Sequence, residues 1–256
     1  MKSIRMIKRL ILALPMVLTL CLTGCQVQEN VDIRKDGGGQ YTDDIDISQM
    51  IDILQTYMSK EDLEKKGMVK MDTTILLKDV VDTVSSLSAE KKALLRPGRI
   101  HVKLDMDAKV FTIHSVFPFN SQADLQQLFF AMNDIGNAKL FGSLAGGDAG
   151  AGGGPGDVNQ FNSIFTYTCH DGLISKKIDT AKFNALKNDP QMAQIKQASQ
   201  MGMEIGYTTT IALPRPVKKV DNALAKLSED KKTVTMKFNL MDVLDHPEQF
   251  EYTIAY

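Results

Sequence analysis

Residues 100–117 read IHVKLDMDAKVFTIHSVF, and the fold follows from how this stretch is paired. Ile100, Val102 and Leu104 alternate with His101, Lys103 and Asp105, while Phe111, Ile113 and Phe117 alternate with Thr112, His114 and Val116. A period of two belongs to a strand with one buried face. A two-residue turn at Asp107-Ala108 pairs Leu104 with Phe111 and Val102 with Ile113, so both apolar faces coincide in one register. A slip of one residue would send the two sets to opposite sides. The same register predicts His101 directly opposite His114 on the polar face.

Working outward, Pro118 and Asn120 end the second strand. Ser121 and Asp124 have capping-box spacing, and Leu125, Leu128, Phe129 and Met132 form the apolar stripe of the helix that follows. Upstream, Asp79 to Leu95 reads as helix interrupted near Ser85-Ser86-Leu87-Ser88, and Met71, Thr73, Ile75 and Leu77 alternate as a strand. Ser59 with Asp62 predicts a short helix ending near Gly67. Ile47, Met50, Ile51, Leu54 and Met58 share a helical face, with Ser48 as the expected cap. The segment from Val27 to Ile33, the turn at Asp36-Gly37-Gly38-Gly39 and the alternation resuming at Tyr41 read as an opening hairpin.

Between Gly142 and Gly156 the chain holds eight glycines among Ala, Ser, Asp and one Pro, a low-complexity loop. Beyond it, Ser163 to His170 and Leu173 to Ile178 flank Asp171-Gly172, a strong hairpin signal. Helices are expected at 179–187 and 189–201, then strands over 205–213, 234–240 and 250–256. The fold class is α+β: antiparallel sheets built of hairpins, with helices packed on one face. Residues 25–141 and 163–256 form two halves with a similar order of elements, joined by the loop at 142–162 within one domain.

The N-terminus is of a different kind. Met1 to Arg9 carry four basic residues and no acidic one, and an apolar run from Leu10 to Leu22 follows. That run is short of the ~20 residues a membrane-spanning helix needs, and Pro15 interrupts it. It ends at Leu22-Thr23-Gly24-Cys25, which resembles the lipobox of bacterial lipoproteins. The resemblance implies that residues 1–24 are a signal peptide cut between Gly24 and Cys25, and that Cys25 carries acyl chains such as palmitate which hold the protein at a membrane. Each buried CH₂ contributes about 0.8 kcal/mol, so two or three chains anchor stably where one does not. Gln26 stands where some Gram-negative families place an inner-membrane retention aspartate, which points to the outer membrane. Leu213-Pro214-Arg215-Pro216 and the turn at Ser228-Glu229-Asp230-Lys231-Lys232 resemble envelope lipoproteins of Bacteroidota type, a likeness that implies no activity.

The four basic residues leave with the signal, so the chain from Cys25 has 26 Lys+Arg against 31 Asp+Glu, about −5 in net charge. No basic stripe for nucleic acid is left. Of three cysteines, Cys21 departs and Cys25 is acylated, leaving Cys169 without a disulfide partner.

Catalytic and metal motifs are sparse. Asp32, Asp36, Gly37 and Asp43 match a calcium loop poorly, because Arg34 occupies a ligand position and the flanks alternate as strands. His101 and His114 are weak candidates for a metal pair, with no third ligand assignable to their face. Cys169 and His170 are consecutive in a strand and point to opposite faces, which excludes a dyad within that strand. No nucleophile elbow, zinc-protease helix or phosphate loop is found, no catalytic residue is assigned and no cofactor is implied. These readings favour a non-enzymatic binding or structural module for an envelope protein or an apolar ligand. The alternative is an envelope hydrolase whose site is assembled from dispersed residues.

Overall fold

The computed structural model describes residues 25–57, 59–65, 69–85, 87–137, 162–189, 192 and 204–256. The opening hairpin is β1 (Cys25–Ile33) and β2 (Gly39–Asp46), followed by α1 (Met50–Tyr57) and α2 (Lys60–Lys65). Next come β3 (Lys70–Leu76), α3 (Ala89–Leu95), β4 (Arg99–Asp105), β5 (Val110–Phe119) and α4 (Gln122–Asn137). The remainder comprises β6 (Phe165–His170), β7 (Leu173–Ile178), α5 (Thr180–Lys187), β8 (Ile205–Ala212), β9 (Lys219–Val220), β10 (Lys226–Leu227), β11 (Thr233–Asn239) and β12 (Tyr252–Ala255).

Two sheets result. The larger has eight strands in the order β10-β11-β8-β1-β2-β5-β4-β3, and the smaller has four in the order β6-β7-β12-β9. Every expected hairpin forms: Leu104 pairs with Phe111, Val102 with Ile113, His101 with His114, and Cys169 with Ile174. The ladder between β4 and β5 closes at Asp105–Val110, and Lys109 turns the connection at φ 54°.

One pairing departs from hairpin logic. β1 runs parallel to β8, Val27 beside Tyr207 and Val31 beside Ile211, so strands from both sides of the glycine-rich segment share one sheet. Parallel neighbours are joined by long crossovers, and alternation within either strand carries no sign of which distant partner it will take.

The core lies between the sheets. Val27, Val31, Tyr41, Tyr207, Ile211 and Met236 of the large sheet face Tyr167, Cys169, Ile174, Tyr252 and Ile254 of the small one, all buried in one cluster. Helix α4 closes one side. Phe129 stacks on Tyr167 at 4.1 Å and meets the Tyr41 ring edge-on at 5.4 Å. A smaller cluster of Ile51, Leu63, Leu104 and Met106 seats α1 and α2 against the far end of β4 and β5. The other face of the large sheet is polar, with Gln28, Asp32, Gln40, Lys103 and Lys237 exposed along it.

Local signals resolve in detail. Ser121 Oγ accepts the Asp124 N–H at 3.1 Å, the forward half of a capping box, while the Asp124 carboxylate reaches one residue past the cap and accepts the Asn120 N–H at 3.2 Å. Ser59 and Asp62 close the same contact ahead of α2, and Asp179 Oδ1 accepts two N–H groups at the start of α5.

Two expectations change. The Ser48 hydroxyl accepts the Phe111 N–H at 3.0 Å, tying the helix start to β5, and among the described residues it is the Ser48 carbonyl that accepts from the first turn, taking the Ile51 N–H at 3.1 Å. The expected helix from Asp79 breaks into two 3₁₀ turns, 77–79 and 81–83, before α3 begins at a Ser88 cap. Val80, Val81 and Thr83 are β-branched and poor at helix propagation, and the Thr83 hydroxyl bonds back to the Val80 carbonyl. The side chains of Met50, Leu54 and Met58, and most of 189–201, lie outside the described residues.

Candidate functional site

Cys25 opens β1, a central strand of the large sheet, beside Ile205 of β8. It is buried, and burial together with the Asp46 carboxylate pushes its thiol up from the ordinary value. Gly24 and the rest of the segment read as a signal peptide lie outside the described residues.

β1 carries the chain away from Cys25 to a hairpin loop at Arg34–Gly38. Nine residues at ~3.3 Å each set these two places about 30 Å apart. Asp36 Oδ1 accepts the Gly38 N–H, and Arg34 exchanges backbone bonds with Gly37 and Gly38. Gly37 sits at φ 83°, and a Cβ on Gly39 would meet the Asp32 carbonyl oxygen at 1.9 Å. Both positions therefore require glycine. Asp32 pairs with Gln40 within the ladder, which rules out the calcium-loop geometry.

At this end of the molecule a cleft of about 570 Å³ opens, lined by Arg34, Lys35, Asp36, Gly37, Gln122, Asp171, Pro214 and Arg215. Arg34 pairs with Asp36 at 3.5 Å and Arg215 with Asp171 at 2.5 Å, and the Arg215 guanidinium also lies 5.4 Å from the Tyr256 ring centre. Gln122 is 7% exposed and donates to the Tyr256 hydroxyl at 2.6 Å, while its Oε1 is buried without a hydrogen-bond partner. Five of the lining side chains are charged, with one more cation than anion.

A second polar group is enclosed between the sheets. Glu29 is 1% exposed on the inner face of β1, and its Oε2 accepts from Thr209 Oγ1 at 3.0 Å and from the Tyr207 hydroxyl at 3.3 Å. Across the core Lys176, also 1% exposed, sets its ammonium 4.3 Å from the Phe165 ring centre and 5.7 Å from those of Tyr167 and Tyr207. Burial lowers the Lys176 ammonium's pKa, with Glu29 pulling the other way. Asp43 retains some exposure on β2, yet desolvation, then Glu29 and then Asp44 push its carboxyl up to about 8. Tyr41, Tyr167, Tyr207 and Tyr252 are pushed well above the ordinary phenol value, burial being the main cause.

His101 and His114 stand opposite each other on the exposed face of the large sheet, as their register requires. Carboxylates do reach them, contrary to expectation: His101 Nε2 lies 2.8 Å from Asp72 Oδ1 on β3, and His114 Nδ1 lies 2.5 Å from Asp44 Oδ1 on β2. Among the described residues no group of three or more His, Cys, Asp or Glu is arranged to hold an ion. Cys169 faces the core and burial pushes its thiol up to about 12, while His170 points outward with Nδ1 3.2 Å from the Asp171 carbonyl oxygen. That thiol is not a nucleophile.

Several of these residues escaped the sequence reading although a signal was present. Glu29 occupies an inward position in the alternation of Cys25, Val27, Val31 and Ile33, and Lys176 stands two residues from both Ile174 and Ile178. A charge at an inward position of a patterned strand marks a buried polar group. Arg34, Gln122 and Arg215 lie on three separate elements and have no shared local signal.

No protein-family model matches the sequence, and comparison with curated proteins gives no match. Among solved structures, the folded domain of the Mycobacterium tuberculosis LppM protein, determined by NMR, is similar over 92% of this chain and 91% of that chain. The TM-score is 0.35 and the identity 12%, a likeness that assigns no function. Among the described residues no helix is long and apolar enough to cross a membrane.

Proposed function

We propose that the chain is a lipid-anchored lipoprotein of the bacterial envelope, at the outer membrane, whose domain is a non-enzymatic binding module. The observation that carries this reading is the double position of Cys25. It is the cysteine of the lipobox-like Leu22-Thr23-Gly24-Cys25, and it is also the first residue of β1. Anchor and sheet adjoin without a linker, so the Cys25 end of the sheet rests at the membrane. The cleft between Arg34 and Arg215 stands about 30 Å farther out. A cleft lined by charged side chains and directed away from the anchoring bilayer suits a soluble ligand or an envelope protein better than an apolar one. Because the thiol is buried once β1 is paired, acylation precedes folding of the domain.

The experiment is metabolic labelling with tritiated palmitate in a bacterium that processes lipoproteins, comparing the intact chain with Cys25→Ser. Label and membrane association present in the first and lost in the second support the reading. Label that survives the substitution sinks it. For the binding role, photocrosslinking from position 35 in the intact envelope should capture a partner that the Arg215→Glu variant no longer captures.

A further inference from the structure

The row of polar side chains across the exposed face of the large sheet has a directionality that its register alone does not reveal. The strand order is β2-β5-β4-β3, and the side chains run Asp44, His114, His101, Asp72 in the same order. An ionised carboxylate only accepts, so the ring nitrogen facing each aspartate must carry the hydrogen. That places the proton of His114 on Nδ1, toward β2, and the proton of His101 on Nε2, toward β3. In the neutral imidazoles the other nitrogens, His114 Nε2 and His101 Nδ1, are lone-pair acceptors. The aspartates stand on the outer flanks of the histidine pair, so neither of these two nitrogens is the one held by a carboxylate. Side chains directly opposite in such a ladder have Cβ atoms ~4.5–5.5 Å apart, close enough for both rings to reach one ion.

Two imidazoles paired directly across a ladder are placed to share one cation. An imidazole whose far nitrogen donates to a carboxylate is also the arrangement that orients histidine on a metal and raises its basicity. We propose that His101 and His114 bind one divalent transition metal ion of the imidazole-preferring class, Zn²⁺, Cu²⁺ or Ni²⁺. Asp72 and Asp44 act as positioning residues behind them. The protein supplies two ligands, so the remaining positions belong to water or to a group brought by a partner, and the site is open where a structural zinc site is closed. Both rings are partly solvent-accessible, with side-chain exposures of 42% and 48%, so an ion can enter without opening the fold. The site is independent of the anchor and of the cleft.

The test uses the full chain in detergent micelles, stripped with a chelator and dialysed against Zn²⁺ and, separately, Cu²⁺. One ion per chain is expected. His101→Ala and His114→Ala should each weaken binding at least tenfold, and Asp44→Asn and Asp72→Asn by roughly ten- to a hundredfold. His170→Ala and His246→Ala should change nothing. Paramagnetic resonance of the Cu²⁺ form should show two coupled imidazole nitrogens in the intact chain and in both Asn variants, and one in either His101→Ala or His114→Ala. Circular dichroism should be the same throughout, since all four side chains lie on the exposed face. Failure to bind Zn²⁺ at millimolar concentration overturns the proposal, as does binding that survives both alanine variants or falls equally with His170→Ala.

Discussion

Asp43 and Asp44 are adjacent on β2 and meet opposite fates. Asp43 turns inward, where burial and the nearby Glu29 hold its carboxyl protonated to about pH 8, while Asp44 turns outward and accepts a hydrogen bond from His114. The same contrast runs along the whole sheet. Its inner face buries Glu29 and Thr209, with Lys176 of the facing sheet over the rings of Phe165, Tyr167 and Tyr207, whereas its outer face leaves Gln28, Gln40 and Lys103 in water. A period of two thus decides the chemistry of each ionisable group before its identity does. Stability should depend on the inner set, and the outer set should be free to serve a ligand.

The largest effect that can break this contrast is expected at the aromatic joint between helix and sheets. Phe129 is 3% exposed and touches both Tyr167 and Tyr41. Phe129→Ala should cost about 3–5 kcal/mol in denaturant unfolding. A loss below about 1 kcal/mol would mean that α4 does not close the core.

A smaller effect concerns pH. With Asp43 near 8 in the fold and near the ordinary carboxylate value when unfolded, the folded chain holds the extra proton between those two values. Stability from this group therefore declines as pH rises from about 4 to about 8 and is level above that. Asp43→Asn should remove this part of the slope, read as the difference between the two unfolding curves over pH. Parallel curves for variant and parent would place Asp43 in solvent.

The smallest effect is expected outside. His101→Ala and His114→Ala should each shift unfolding by no more than about 0.5 kcal/mol in the absence of metal, because exposed ion pairs contribute little. A cost above about 2 kcal/mol would show that this face is structural.

Much of the fold was legible because hairpins are local. The pairings of Leu104 with Phe111 and Cys169 with Ile174 follow from alternation and the intervening turns, and the Ser121 and Ser59 caps follow from spacing. The pairing of β1 with β8 was not legible. Its partners are about 180 residues apart, and each strand's pattern is satisfied by any neighbour with a matching buried face. The short strands β9 and β10 were missed because two residues carry no periodicity. The histidine pair was visible from register, but its carboxylates were not. Asp44 and Asp72 reach it from the outer strands β2 and β3, and only the order of strands in the sheet shows that they flank it. The cleft was the least legible of all, since it is built by the ends of elements.

In the proposed reading the domain begins at its anchor, with Cys25 as both the acylated residue and the first residue of β1. Mass spectrometry of the N-terminal peptide from protein purified out of bacterial membranes tests it directly. The prediction is a peptide starting at Cys25 with the added mass of a diacylglyceryl group, with or without a further acyl chain. A peptide starting at any other residue, or an unmodified Cys25, would contradict it.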